Sequence, residues 1–362
     1  MPSGYTIFKY PEDFFQIFPD KDYSQSISKS NAEEKEQIQY LFRYLKEIKC
    51  VSILMEKNYV DHDYLDDYAN YYAKCFTDYK RFCRRAHFWS IDVSELDLEK
   101  IIVEKNAGEL ENLQECYLGF LTLKPLPNTV IGRTVIKTYD NEGKRHFPAT
   151  TYYDVNLFGV ELKAKSLAFQ EQDKVLAACA TTALWSSFQK TSRLFQTHTP
   201  TPVDITSKAT KYIQTTRPVP SQGLIVEQIC YAISEVGLTP EVQQIRKDTP
   251  INSLIYSYVN MGIPVILGYA AERNGKILLH AVTVCGYRLE SDTQHDTEIW
   301  TPQLDINLIG RRISEFYVHD DTLGPFSRLK SAKHNNPECS KIKFIREALD
   351  STCDCIPTVV IV

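Results

Sequence analysis

The chain has 362 residues, 43% of them hydrophobic and 24% charged, with a formal net charge of −5. That length accommodates two domains of roughly 150 residues each, and the negative charge leaves no electrostatic footprint for nucleic acid or an anionic membrane. Met1-Pro2-Ser3-Gly4-Tyr5 lacks the basic start and apolar core of a secretory signal, and no apolar run reaches the roughly 18 residues of a membrane span. Ten cysteines follow no disulfide framework, so we expect a cytoplasmic protein in which a free thiol survives.

Ser30-Asn31-Ala32-Glu33 has capping-box spacing and predicts a helix to about Lys49, followed by a β-rich run from Cys50 to Met55. A second helix is expected over Tyr64 to Cys83, after the acidic Asp61 and Asp63, with Leu65, Tyr68, Tyr72 and Phe76 on one stripe. The basic run Lys80-Arg81-Phe82-Cys83-Arg84-Arg85 would then sit at its solvated end. A strand at Ala86 to Ile91 and a helix from about Leu96 to Lys105 come next. Strands at Tyr117 to Leu123 and Val130 to Tyr139 are joined through Pro125-Leu126-Pro127-Asn128. Tyr139-Asp140-Asn141-Glu142-Gly143-Lys144-Arg145 reads as a hairpin or linker. We therefore place an α+β N-terminal domain at 1–145, without a catalytic motif and open to a partner protein, and a second domain at 146–362.

Tyr152 to Leu162 reads as β. A helix carrying Cys179 runs to about Thr191, and Thr201-Pro202, Ser221-Gln222 and Thr249-Pro250 are helix-start signals. After Gly262 the pattern turns to strands: Pro264 to Tyr269, Ile277 to Tyr287, Ile313 to His319, Ile342 to Ile345 and Thr358 to Val362. The polar stretch Glu290 to Arg312 interrupts them. The last run is apolar to its end, which leads us to expect further residues beyond Val362. Cys339, Cys353 and Cys355 cluster late but lack paired Cys-x-x-Cys spacing, so no metal and no cofactor are expected.

The most informative stretch runs from Phe169 to Trp185. Cys179 opens a helix there, with Gln172 seven residues before it. A helix N-terminus carries partial positive charge that favours a thiolate, and an upstream glutamine amide can donate to the oxyanion formed when a thiolate attacks a carbonyl. Ala177, Ala178 and Ala180 leave room for a substrate backbone, while Trp185 reads as core. Further on, His280 falls in the strand Lys276 to Tyr287, which ends at the Gly286 turn, and Asp320-Asp321 follow the strand Phe316 to His319. Cys, His and Asp in that order supply a nucleophile, its base and the group that orients the base. Either carboxylate could serve as the third.

Gln172…Cys179, Gly262-Ile263-Pro264-Val265-Ile266, His280-Ala281-Val282-Thr283-Val284-Cys285-Gly286-Tyr287 and Asp320…Gly324 together resemble the papain-like cysteine peptidases, nearest the branch of the bacterial double-glycine leader peptidases. The resemblance covers about residues 155 to 330. It implies a papain-like catalytic domain, a helical half plus an antiparallel sheet, and an α+β fold for the chain. It also implies Asp320 as the orienting residue, with Asp321 in reserve. The family commonly carries its Gln six residues before the Cys, where this chain has Asp173, so Gln170 is the alternative to Gln172. The residue after the Cys is commonly Gly, and here it is Ala180. The implied activity is hydrolysis of a peptide or protein amide bond. Two other readings stay open: another acyl transfer on the same scaffold (transglutaminase-like, deamidase or amidase), and an inactive adaptor that works by protein binding.

Overall fold

The computed structural model describes residues 4–139, 143–173, 178–211, 223–273, 275–291, 308–333, 342–349 and 351–362. Ala177, Ser221-Gln222, Cys339 and most of the polar stretch before Arg312 therefore lie outside the described residues, as do 140–142 of the expected linker. The chain forms two units: Met1–Tyr139 with Thr151–Glu171, and Asp140–Thr150 with Gln172–Val362. The division expected at residue 145 is thus replaced by a double crossing, and Tyr152 to Leu162, expected to open the second domain, belongs to the first unit. No helix among the described residues is long and apolar enough to cross a membrane.

In the first unit, Tyr5–Lys9 (β1), helices Lys29–Glu34 (α1) and Glu36–Glu47 (α2), Ser52–Tyr59 (β2), helix His62–Asn70 (α3), Cys83–Trp89 (β3), helices Leu98–Glu104 (α4) and Ala107–Cys116 (α5), Tyr117–Leu123 (β4) and Ile131–Ile136 (β5) follow in order. The strands make one antiparallel sheet in sequence order. Helix α3 starts as expected, with the Asp61 carboxylate accepting from the Tyr64 N–H at 3.0 Å, but stops at Asn70 instead of running to Cys83. There the Tyr72 ring turns in to pack on Tyr64 and Tyr79, at 5.9 and 5.0 Å between centroids, while Phe76, the next residue of the expected stripe, is left exposed. The basic run is correspondingly not a solvated helix end. Arg85 is buried in β3, donating to Glu56 at 2.8 Å and to the Asn156 carbonyl at 2.6 Å.

The chain then contributes Arg145–His146 (β6) to the second unit and returns to the first as the hairpin Thr151–Leu157 (β7) and Val160–Ser166 (β8). In the second unit, helices Cys179–Phe195 (α6), Pro202–Thr210 (α7) and Val226–Ser234 (α8), Val242–Gln244 (β9) and helix Ile251–Asn260 (α9) precede Val265–Arg273 (β10), Lys276–Leu289 (β11), Ile313–Asp320 (β12), Gly324–Lys333 (β13), Ile342–Glu347 (β14) and Thr352–Ile361 (β15).

Here the structure corrects the expected papain-like architecture. Strands β10 to β15 pair in sequence order, all antiparallel, and β15 pairs back onto β10, closing a six-stranded barrel. This is a mostly antiparallel sheet closed on itself, not a helical half facing an open sheet. Closure needs long, twisted strands, and β10 extends four residues past the expected Tyr269. It also needs β13, whose polar Ser327, Arg328, Lys330 and Ser331 hid it in the sequence. The barrel is filled by Val265, Leu267, Val282, Val284, Phe316, Val318, Leu329, Phe344 and Val360, with Ile251, Ile255 and Val259 of α9 packed in the same core.

Candidate active site

Cys179 is the first residue of α6. Ala178 precedes it in extended conformation with no side-chain cap, and the first helical bond runs from the Thr182 N–H to the Ala178 carbonyl at 3.1 Å. The N–H groups of Cys179, Ala180 and Thr181 therefore have no acceptor within the helix. The helix is tied to the barrel by the Thr283 hydroxyl on β11, which donates to the Ala183 carbonyl at 2.7 Å. Trp185 is fully buried, as its place on the helix predicted.

The polar groups of the site come from the barrel itself. His280 lies on the same side of β11 as the core residues Val282 and Val284. Asp320 shares the face of Phe316 and Val318 on β12, and Arg346 that of Phe344 on β14. Where the apolar stripe ends, the same strand faces carry a polar layer. His280 Nε2 is 3.1 Å from Asp320 Oδ1 and 3.3 Å from Asp321 Oδ1, and the Tyr269 ring meets the imidazole edge-on at 5.4 Å. With Nε2 turned to the carboxylates, Nδ1 is the nitrogen left for Cys179. The Cys179 thiol lines the same cleft as the ring and adds to the rise in its proton affinity.

Asp320 is held from all sides. Its Oδ1 accepts from the Thr322 N–H at 3.0 Å and hydroxyl at 2.7 Å, and its Oδ2 accepts from Arg346 Nε at 2.5 Å. Burial alone would raise its pKa, but Arg346, His280 and these hydrogen bonds hold it well below the usual carboxylate range. Burial likewise opposes a charged His280, yet Asp320, then Cys179 and Asp321, outweigh it and raise the imidazole well above its ordinary value. Asp321 is different: it is 3% exposed, and neither oxygen has an aligned hydrogen-bond partner. Burial pushes it up to about 7, against the pull of His280 and with the Asp320 charge adding to the rise.

The structure thus brings Cys179, His280, Asp320 and Asp321 together. Gln172 is half-buried before the helix and is not among the described residues lining the cleft at Cys179. Gln170 falls in the first unit. The N–H groups at the start of α6, which have no acceptor within the helix, are the donors next to Cys179. Arg346 was missed, because nothing in the sequence sets it apart from other strand arginines until pairing places it beside Asp320. His280, Asp320 and Asp321 could also offer one ligand atom each to a divalent cation, all within 4.8 Å of one another, although Thr322 and Arg346 already occupy Asp320.

A cleft of about 620 Å³ opens beside Cys179 and His280. A second, in the first unit, has about 840 Å³ and is lined by Phe8, Met55, Lys57, Arg81, Phe82 and Arg84 among others. A scan against protein-family models and a search of curated proteins find no match for this chain.

Proposed function

We propose that the second unit is a thiol hydrolase that cleaves a peptide or protein amide bond through Cys179, His280 and Asp320. The observation that carries this reading is the placement of His280 between the thiol at a helix N-terminus and a buried, ionised carboxylate. Asp320 favours the imidazolium, so His280 Nδ1 takes the Cys179 proton as the thiol attacks. The thiolate attacks the carbonyl carbon, and the resulting oxyanion is met by the N–H groups at the start of α6. The C–N bond breaks as Nδ1 gives its proton to the leaving amine, producing a thioester. His280 then takes a proton from water, the hydroxide displaces the thiolate, and the acid leaves. Capture of the same thioester by an amine would make the centre a transferase, and a side-chain amide substrate would make it a deamidase. A reducing compartment such as the cytoplasm suits the chemistry.

The test is alkylation by iodoacetamide, mapped by peptide because the chain has ten cysteines. Cys179 should react at least tenfold faster in the wild type than in His280→Ala near pH 6. Equal rates in the two proteins across about pH 5 to 8 would remove the coupled pair and the hydrolase with it.

A further inference from the structure

The described residues that wall the cleft at Cys179 are almost without charge. Besides His280, Glu227 at the start of α8 is the lone ionisable carboxylate or cation among the described residues that line it. The rest is largely aliphatic: Leu224, Ile225, Ile245 and Leu279 stand around it, with Ile266 and Val359 from the barrel. Leu279 is 74% exposed on the residue just before His280, an unusual place to leave a leucine in water. Gly268 keeps the floor low, for a Cβ there would come within 2.6 Å of Val359 Cγ1.

One side of the cleft is a strand edge. Among the described residues β9 ends its sheet, with β15 as its one neighbour. Glu241 exchanges both backbone bonds with Val362, and the Ile245 N–H donates to the Thr358 carbonyl at 3.0 Å. In an antiparallel ladder these alternate residues face the partner, so Val242 and Gln244 turn their N–H and C=O groups to the open edge. Both residues line the cleft.

We propose that this cleft is the substrate site of the centre described above, and that it takes an extended peptide segment with uncharged aliphatic side chains, added as a strand along β9. The inference rests on the hydrolase reading. Backbone bonds to Val242 and Gln244 supply affinity without regard to sequence, as in other strand additions. The aliphatic wall supplies the preference, because each buried aliphatic side chain is favoured and an unpaired charge there is penalised. Glu227 turns the bias further against acidic segments.

The experiment uses the full chain and peptidyl vinyl sulfones that differ only in the residues beside the electrophile: Leu-Val, Asp-Glu or Lys-Arg. For each, the labelling rate of Cys179 is divided by its iodoacetamide rate. The Leu-Val probe should exceed the Asp-Glu probe by about tenfold or more. Leu279→Glu should erase that preference, whereas Ile277→Glu, the same change at an exposed position outside the cleft, should keep it. Val242→Pro removes one outward N–H and none of the bonds to β15, so it should slow every peptidyl probe several-fold relative to iodoacetamide. Equal ratios for the three probes, or a preference for acidic ones, would overturn the proposal while leaving the hydrolase intact. Failure of the coupled reactivity of Cys179 and His280 would instead strike the hydrolase reading itself.

Discussion

Two adjacent carboxylates face one imidazole nitrogen, and their surroundings pull them apart. Asp320 has Arg346 and Thr322 to hold its charge, whereas Asp321 is equally buried and has neither. A lone buried carboxylate favours its protonated form. With its pKa near 7 in the folded protein and about 3.9 unfolded, Asp321 keeps a proton that the unfolded chain has released, so stability falls as pH rises from about 4 to 7. His280 adds to this: its raised pKa contributes stability that is full below about 6.5 and lost as pH rises through the folded value. Asp320 acts oppositely, its contribution being present above about 3.9 and lost only in acid. Asp321→Asn should therefore flatten the fall in Tm between about pH 4 and 7 and stabilise the protein near neutrality, by up to about 4 kcal/mol. An unchanged profile would mean that Asp321 is ionised in the folded state. Arg346→Met should cost about 3–5 kcal/mol in chemical denaturation, because it strands the Asp320 charge in the interior. A loss below about 1 kcal/mol would mean another group neutralises it.

At the level of the strand, the His-x-Val-x-Val-x-Gly-Tyr run predicts a strand closing at a glycine turn, yet β11 continues to Leu289. Gly286 sits in a bulge of the pairing with β12. It is small for another reason: a Cβ there would lie 2.7 Å from the His146 carbonyl oxygen and 2.7 Å from the Phe147 ring. The missing side chain lets β6 pair beside Tyr287 and Arg288 and lets the His146 ring stack on Tyr287 at 5.2 Å. Gly286→Ala should thus destabilise by about 1–3 kcal/mol, measured by urea denaturation. A neutral result would show that β6 can step away at no cost. The glycine was legible, but its neighbour was not, since the two lie far apart in sequence.

Across the whole chain, the crossing at 140–150 decides what each unit is made of. The hairpin β7–β8 and the segment after it finish the first unit: Thr134 and Phe169 exchange backbone bonds at 2.7 and 2.9 Å. Glu171, 1% exposed, accepts from the Ile131 N–H at 2.8 Å and pairs with Lys35 at 2.7 Å. A fragment 1–139 should accordingly be less stable than 1–171 by about 3 kcal/mol or more, since it takes the Glu171 carboxylate from Lys35 and leaves the edge of β5 unpartnered. Equal melting of the two fragments by circular dichroism would refute that dependence. The sequence by itself determined the local features: Cys179 at a helix start, His280 within a strand, Asp320 where the next strand ends, and most strands of the second unit. These follow from propensity, capping and apolar periodicity, which act over a few residues. Tertiary structure alone decided that six strands close into a barrel, that Arg346 holds Asp320, and that residues 151–171 join the first unit. Each of those depends on pairing between segments distant in the chain, and the free energy of such pairing is carried by neighbours that no local pattern names.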